Sequence, residues 1–311
     1  MLGSCALRWL LAFGVLVLAL LVLGPFEGRA QTGDTWRGVD RIVAVGDVHG
    51  DHERFVQLLR AAAVVNRDSA WIGGRTHLVQ VGDVLDRGPD SRKAVDLLRS
   101  LAPQAERAGG RVHALIGNHE AMVLLGDLRY VHLGEYKAFG GKTGLRRAFG
   151  ARGEYGSWIR HNDAVIRIND VLFVHGGISP GYARQSIAQI NGKVRAELVA
   201  GQPAEGTVAM DPNGPLWYRG YATRVESELQ KQLAQVLANF GVRHVVVGHT
   251  VSKTGIQTRL GGRIIMIDVG FSRTYVGAPP ACLLIEQGKF FIVTPTARRR
   301  LPVAADAVTS P

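Results

Sequence analysis

The stretch Arg41-Ile42-Val43-Ala44-Val45-Gly46-Asp47-Val48-His49-Gly50 decides how this chain folds. Its first half is nearly uniformly apolar and rich in β-branched residues, which is typical of a strand buried on both faces. Gly46 and Gly50 then let the backbone bend sharply and approach a ligand. Asp47 supplies a carboxylate and His49 an imidazole, a suitable pair for a divalent metal ion. The stretch predicts a strand that ends in a ligand-binding loop, although a turn with an exposed histidine fits these residues equally well.

Further runs of the same kind follow along the chain, each before a glycine or a polar cluster: His77–Val81, Arg111–Ile116, Val171–Val174 and His244–Val247. Apolar residues at helical spacing lie between the early runs, over His52–Val65 and Ser91–Leu101. Pro103 is expected to interrupt whatever follows the second helix. The alternation of strands and helices predicts an α/β fold with ligands outside the carboxyl ends of the strands.

The middle of the chain differs, because residues 121–170 and 178–240 contain few strand-like runs. We interpret both segments as helical cap insertions on the same domain. Helices are predicted over Glu154–Arg160 and Thr223–Phe240, the second with Gly241 as its C-cap.

The last part of the sheet system comes from the C-terminal third. A strand is predicted over Arg263–Asp268, followed by a hairpin of Ala281–Glu286 with Lys289–Val293 that turns at Gln287-Gly288.

The chain thus divides into a linker over residues 31–39, one domain over residues 40–296 and a disordered tail over residues 297–311, which includes Arg298-Arg299-Arg300. The formal net charge of +11 suits an anionic partner but does not choose among phosphate esters, nucleic acid and an acidic lipid surface.

The N-terminus is typical of an export signal. Arg8 precedes the uncharged run Trp9–Leu23, and Gly28 and Ala30 offer the small residues of a cleavage site. Residues 1–30 are therefore predicted to be a signal peptide of a periplasmic or extracellular protein. The alternative is an uncleaved segment that anchors the protein to the inner membrane.

Two more motifs repeat the chemistry of the first. Gly82-Asp83-Val84-Leu85-Asp86-Arg87-Gly88 again places Gly-Asp after a strand, and Asp83 has two oxygens with which to bridge two cations. Gly117-Asn118-His119-Glu120 provides an amide oxygen and then an imidazole, which suits proton donation near neutral pH. His175 and His249 each follow an apolar strand and would supply nitrogen ligands.

Each motif alone also has a structural interpretation: a solvated turn with a local ion pair, a helix N-cap at Asn118, or a structural histidine at a strand end. Asp268 is open between a structural carboxylate and a partner of the metal ligands. The other histidines are interpreted as surface or structural residues: His52, His77, His113, His132, His161 and His244.

The motifs together resemble, in order and spacing, the phosphoprotein phosphatase branch of the calcineurin-like metallophosphoesterases, over about residues 40–295. The residues that carry the resemblance are Asp47, His49, Asp83, Asp86, Arg87, Asn118, His119, His175 and His249. The segment Pro215-Leu216-Trp217-Tyr218-Arg219-Gly220 further resembles the Shewanella-like phosphatases. The resemblance implies a sandwich of two mixed β-sheets flanked by helices.

The resemblance also implies the roles of these residues. Asp47, His49 and Asp83 would bind one divalent metal, and Asp83, Asn118, His175 and His249 a second, with manganese expected and iron or zinc as alternatives. His119 would be the general acid with Asp86 orienting its ring. Arg87, Arg219 and Asn118 would bind the substrate phosphate.

The function that follows is hydrolysis of phosphomonoesters by a metal-bridged hydroxide, on a phosphorylated protein or a small phosphoester. Phosphotyrosine, phosphoserine and phosphothreonine are all compatible with it, and no nucleic-acid partner is expected. One alternative is a dinucleoside polyphosphate or nucleotide hydrolase with the same site. Another is a noncatalytic phosphate-binding protein that retained the fold.

Overall fold

Two mixed β-sheets form the centre of the molecule. The computed structural model describes residues 33–201 and 206–303. Within these ranges the strands are β1 (Thr35–Trp36), β2 (Arg41–Val45), β3 (His77–Gln80), β4 (Arg111–Ala114), β5 (Val165–Ile168), β6 (Val171–Val174), β7 (His244–Val247), β8 (Gln257–Arg259), β9 (Ile264–Met266), β10 (Cys282–Glu286), β11 (Lys289–Val293) and β12 (Arg298–Arg300). One sheet has the order β1-β5-β6-β7-β9-β8, and the other the order β12-β11-β10-β2-β3-β4.

Helices connect the strands and cover the sheets. They are α1 (His52–Ala61), α2 (Ser91–Arg107), α3 (Asn118–Leu124), α4 (Leu133–Ala138), α5 (Gly141–Phe149), α6 (Glu154–Arg160), α7 (Ile187–Ala200), α8 (Gly220–Thr223) and α9 (Glu226–Phe240). Helices α1 and α2 each turn one apolar stripe towards the core, with Phe55 and Leu59 buried on the first and Leu98 and Leu101 on the second.

The strand directions bring the loops of both sheets to one place. β2, β3 and β4 run parallel, with Ile42 opposite His77 and His77 opposite Arg111. In the other sheet β6, β7 and β9 are also parallel. Because parallel strands end at the same edge of a sheet, the polar loops after β2, β3, β4, β6 and β7 converge. The two sheets share one continuous hydrophobic core.

The predicted fold class, an α/β sandwich of two mixed sheets flanked by helices, is confirmed. The hairpin of β10 and β11 also forms as predicted. Its turn residues Gln287 and Gly288 have φ angles of 49° and 71°, the left-handed pair that a two-residue hairpin requires.

The prediction that Pro103 interrupts whatever follows the second helix is wrong, since α2 itself continues through Pro103 to Arg107. Proline removes a single N–H donor from the helix. Leu98, Leu101 and Ala105 nevertheless keep one face of α2 buried on both sides of the proline, and this packing offsets the cost.

The helix predicted over Thr223–Phe240 forms as α9 and begins at Glu226. Arg224 and Val225 have extended backbone angles, and Thr223 is the last residue of α8. Gly241 does end α9, in the left-handed conformation expected of a C-cap.

The prediction of disorder is wrong for Arg298–Arg300, which pair with β11 as the edge strand β12. Pairing uses backbone groups, so a run of charged side chains does not prevent it. Arg298 also donates to Glu286 at 2.7 Å and stacks its guanidinium 3.9 Å above the ring of Phe291.

The predicted linker likewise contributes a strand, because Thr35 and Trp36 pair with Arg167 and Ile168. Trp36 is buried with its ring centroid 4.3 Å from that of His113.

Three of the remaining histidines, interpreted from the sequence as surface or structural residues, are buried. His113 and His77 are hydrogen-bonded at 3.0 Å, and His244 contacts the carbonyl of Gly262 at 2.9 Å. Burial lowers the pKa of His77 to about 4, so it is neutral near pH 7.

Cys282 is a buried free thiol.

The predicted signal or anchor over residues 1–30 lies outside the described residues. Among the helices that the structure describes, none has the length and apolar character needed to cross a bilayer.

Candidate metal centre and phosphate site

Loops from both sheets bring the predicted ligands into one buried cluster. Asp47 and His49 follow β2, Asp83 follows β3 and Asn118 begins α3 after β4. His175 follows β6 and His249 follows β7; all six side chains are buried.

Several of these residues have strained backbones. The φ angle is 44° at His49, 57° at Asp83, 66° at Asp86, 67° at Arg87 and 65° at His249. Left-handed angles at residues other than glycine cost on the order of 1–3 kcal/mol each and concentrate at functional sites. The surrounding structure must therefore hold these loops in place.

Asp83 lies at the centre of the cluster. Its Oδ1 is 3.3 Å from His175 Nε2, and its Oδ2 is 3.6 Å from His49 Nε2. Ligand atoms of Asp83, His175 and His249 lie within 4.8 Å of one another, and so do those of His49, Asp83 and His119. Asp83 belongs to both groups, which is the position of a bridging carboxylate.

The imidazole tautomers identify the free nitrogens. His175 Nδ1 is 3.0 Å from the carbonyl of Val81 and His49 Nδ1 is 3.0 Å from that of Leu85. A carbonyl accepts, so Nδ1 of each ring donates to it and Nε2 is the nitrogen left to bind a metal ion. Each Nε2 faces an oxygen of Asp83. In His249 the two ring nitrogens exchange roles, since Nε2 donates to the Trp217 carbonyl at 3.1 Å and Nδ1 is the nitrogen left to bind a metal ion.

Asn118 and Asp47 complete the cluster. Asn118 Oδ1 is 3.0 Å from His175 Nε2, so an amide oxygen also faces this nitrogen. Asp47 Oδ2 is 3.9 Å from His49 Nε2, and Asp47 accepts the backbone N–H of His249 at 3.1 Å. The group of ligand atoms that lie within 4.8 Å of one another around His49 contains Asp83 and His119, and it does not contain Asp47.

Burial and charge set the protonation of these groups. Burial lowers the pKa of His49 to about 3 and that of His249 to about 2, so both are neutral ligands near pH 7. Burial and the neighbouring Asp268 raise the pKa of Asp47 well above its ordinary value. Burial raises that of Asp268 to about 6. The charge of Asp83 raises the pKa of both Asp47 and Asp268, and a cation would relieve this repulsion, so this donor set fits divalent metal ions.

His119 and Asp86 form the predicted acid pair. His119 Nδ1 lies 2.7 Å from Asp86 Oδ2, and its Nε2 lies 3.9 Å from Asp83 Oδ2. Burial alone would lower the pKa of His119, but Asp83 and Asp86 outweigh it and raise the pKa. A protonated imidazole with one nitrogen held by a carboxylate is suited to donate its other proton to a leaving group.

The two arginines among the predicted phosphate-binding residues differ in how they are held. The Arg87 guanidinium carbon lies 4.6 Å from the ring centroid of Tyr130 and 5.3 Å from that of Tyr275. Its buried Nε has no hydrogen-bond partner in the described part of the chain. Arg219 instead donates to the His249 carbonyl at 2.9 Å and to Thr250 Oγ1 at 3.1 Å.

Sequence reasoning missed the two tyrosines, which form aromatic walls of the site. The Tyr130 ring lies 5.2 Å from that of His119, and the Tyr275 ring 5.4 Å from that of His49. Tyr130 comes from the cap segment and Tyr275 from the loop after β9, so no local pattern links them to the motifs.

Glu120 was part of a quoted motif, but its role was missed. Its carboxylate accepts four backbone N–H groups: Asp83 at 2.7 Å, Val84 at 2.9 Å, Leu85 at 3.0 Å and Gly117 at 2.8 Å. It therefore fastens the loop after β3 to the start of α3, so that Asp83 and Asn118 hold their relative positions. Its place directly after Asn-His was the available signal.

Comparison with known proteins agrees with this geometry. Residues 40–253 match the family model described as calcineurin-like phosphoesterase. An uncharacterized protein of Schizosaccharomyces pombe is 35% identical, over 82% of this chain and 80% of its own length. Shewanella-like protein phosphatase 1 of Plasmodium berghei is 30% identical, over 82% of this chain and 73% of its own length.

A solved structure of the cold-active protein-tyrosine phosphatase of a psychrophilic Shewanella species has a TM-score of 0.75 and 34% identity, and the match covers 87% of this chain and 82% of that one. The family match covers well over half of the sequence and contains the predicted ligand loops after β2, β3, β4, β6 and β7. This chain therefore belongs to the calcineurin-like phosphoesterase family, in agreement with the resemblance of its motifs.

Proposed function

We propose that this chain is a dimetal protein phosphatase, which hydrolyses phosphomonoesters of tyrosine, serine or threonine in protein substrates. The orientation of His49 and His175 carries the proposal. Both rings donate the Nδ1 proton to a backbone carbonyl, and both Nε2 atoms face oxygens of Asp83. The lone pair of a neutral Nε2 against a buried carboxylate, as at His49, is repulsive unless a cation lies between them.

The residues present would divide the work as follows. Asp47, His49 and Asp83 would hold one ion, and Asp83, Asn118, His175 and His249 the other. Two such ions supply a nucleophilic water at neutral pH and neutralise charge on the phosphoryl oxygens.

The chain's own groups would orient the phosphate and move the proton. Arg87 and Arg219 offer planar forks for the phosphate, with Asn118 as a third contact. Asp86 holds His119 Nδ1, which leaves Nε2 to protonate the departing oxygen of the ester. The free thiol Cys282 is buried in β10 and takes no part.

The names of the relatives support a protein substrate. Both a Shewanella-like protein phosphatase and a protein-tyrosine phosphatase align over more than four fifths of this chain. A dinucleoside polyphosphate hydrolase would use the same metal centre, and the substrate comparison below separates the two.

The test begins with the purified protein loaded with manganese and given phosphotyrosine and phosphoserine peptides, an aryl phosphate and a diadenosine polyphosphate. We expect phosphate release from a phosphopeptide at a higher kcat/KM than from the dinucleotide. His119→Asn should lower kcat by about 10²–10⁴-fold, while metal content measured by mass spectrometry stays at the wild-type level. Full activity in that variant would contradict the assignment of the acid.

Two finer points belong to the same proposal. Manganese is the metal that we infer, with iron and zinc as alternatives that the same assay compares. The uncharged run Trp9–Leu23 supports export to the periplasm or beyond, with an anchored form at the inner membrane as the alternative. Cell fractionation and N-terminal sequencing of the full chain would distinguish cleavage at Ala30 from an intact N-terminus.

A further inference from the structure

Three buried polar atoms beside the acid pair lack partners. Asp86 Oδ1, Ser91 Oγ and Glu135 Oε1 have no hydrogen-bond partner in the part of the chain that the structure describes. Each belongs to a side chain that is at least nine-tenths buried. Leaving such an atom unpaired costs about 1–3 kcal/mol, so three together call for an explanation.

All three residues line the same small cavity. Its other walls are apolar and come from Leu85, Val123, Val131, Leu145 and Phe149. The cavity offers about 10 Å³ to the centre of a water-sized sphere, which is about the space of a single water molecule. Buried waters typically make about three hydrogen bonds to otherwise unpaired polar groups, and the residues that line this cavity carry three such atoms.

We propose that one water molecule is bound in this cavity, and that Glu135 acts through it as a positioning residue for Asp86 and so for His119. The hydrogen bonds then balance. The water donates one proton to Asp86 Oδ1 and the other to Glu135 Oε1, and it accepts the proton of Ser91 Oγ. Every unpaired atom around the cavity gains a partner.

The surrounding contacts make this arrangement rigid. Glu135 Oε2 accepts the backbone N–H of Arg92 at 3.1 Å, at the start of α2, so the carboxylate of Glu135 is fixed on its other side. Asp86 Oδ2 is 2.7 Å from His119 Nδ1, so the Asp86 carboxylate has one oxygen on the water and one on the imidazole. The water therefore connects α4 of the cap to the ring that donates the proton.

The inference rests on the proposed role of His119 as general acid, and its test uses leaving groups of different quality. A displaced acid slows the departure of a poor leaving group more than that of a good one. We expect Glu135→Leu to raise the ratio of the rates on p-nitrophenyl phosphate and phenyl phosphate by about tenfold, with metal content unchanged. Ser91→Ala, a smaller change, should raise the ratio in the same direction. Glu135→Gln keeps a hydrogen-bonding group towards the water, so its ratio of the two rates should stay close to that of the wild type.

A matched control separates positioning from loss of stability. Asn191 is buried and accepts the backbone N–H groups of Ala164 and Val165 at 2.9 Å, away from the cavity. Asn191→Leu removes a comparable buried polar side chain and should leave the ratio of the two rates unchanged. An unchanged ratio in both Glu135→Leu and Ser91→Ala would overturn the proposed role.

The water itself has an independent test. A high-resolution crystal structure of the full chain should show one density peak within hydrogen-bond distance of Asp86 Oδ1, Ser91 Oγ and Glu135 Oε1. An empty cavity, or direct contacts among the three side chains, would overturn the inference. A wild-type protein that hydrolyses neither aryl phosphate would instead refute the proposed function, while the crystallographic result still decides the water.

Discussion

Replacing Glu120 by glutamine tests the framework that holds the metal ligands. Glu120 Oε1 accepts the N–H groups of Val84 and Leu85, and Oε2 those of Asp83 and Gly117. Glutamine has one carboxamide oxygen in place of two carboxylate oxygens, so its NH2 nitrogen must face two of the four N–H donors. Two charge-assisted hydrogen bonds are lost at about 1.5–3 kcal/mol each, which predicts a loss of about 3–6 kcal/mol. Typical domains are stable by about 5–15 kcal/mol, so the variant should be measurably destabilised but in part folded.

Urea denaturation of the two proteins measures this loss, and kcat with manganese measures its effect on the site. We expect kcat to fall because the loop that carries Asp83 is no longer tied to α3. Glu197→Gln is a control: among the described residues, Glu197 accepts the N–H groups of Val208 and Ala209, one on each oxygen, and it is half-buried. This variant loses one charge-assisted hydrogen bond at a half-buried position and should cost about 1.5 kcal/mol, the low end of the range, with kcat unchanged. Equal urea midpoints for Glu120→Gln and the wild type would refute the reasoning.

Further predictions concern phosphate binding, the cap and pH. Arg87→Lys should lower kcat/KM for an aryl phosphate by about 100-fold with an unchanged urea midpoint, because lysine has no planar fork to stack on Tyr130; an unchanged kcat/KM would remove Arg87 from the site. Arg160→Met should destabilise the protein by about 3 kcal/mol in urea, since four backbone carbonyls lose a donor, and an equal midpoint would show that water replaces it. Burial raises the pKa of Glu135 from 4.5 to about 7. The unfolded chain therefore ionises first as pH rises, and stability should fall by about 3 kcal/mol between pH 4.5 and pH 7. Glu135→Gln should lack this fall. If the free energies of unfolding of the wild type and the variant differ by the same amount at pH 4.5 and at pH 7, the prediction is contradicted.

Much of the fold could be predicted because the strands of the sheet centres are buried on both faces. Runs such as Arg41–Val45 and His244–Val247 are apolar after their first residue for that reason, and the direction of parallel strands makes their following loops converge. The edges of the sheets could not be predicted in the same way. Thr35–Trp36 and Arg298–Arg300 pair through backbone groups, and their side chains carry no periodic signal.

The same division applies to the site. Ligands that directly follow a strand, such as Asp83 and His175, are recognisable because glycine and polar residues mark the strand end. Tyr130 and Tyr275 lie beside Arg87 only because the cap and the loop after β9 fold over it, and contacts of this kind depend on tertiary structure.

The site also shows why its ligands need support from outside the metal cluster. Left-handed backbone at His49, Asp83 and His249 costs free energy, and so do lone pairs that face carboxylates. Neutral acceptors, among them the carbonyls of Val81 and Leu85, set the imidazole tautomers and add no further charge. Because these supports favour the binding geometry before any ion arrives, bound cations would relieve the repulsion instead of reshaping the loops. Metal binding should then stabilise the folded state strongly, since the unfolded chain lacks the converging ligands.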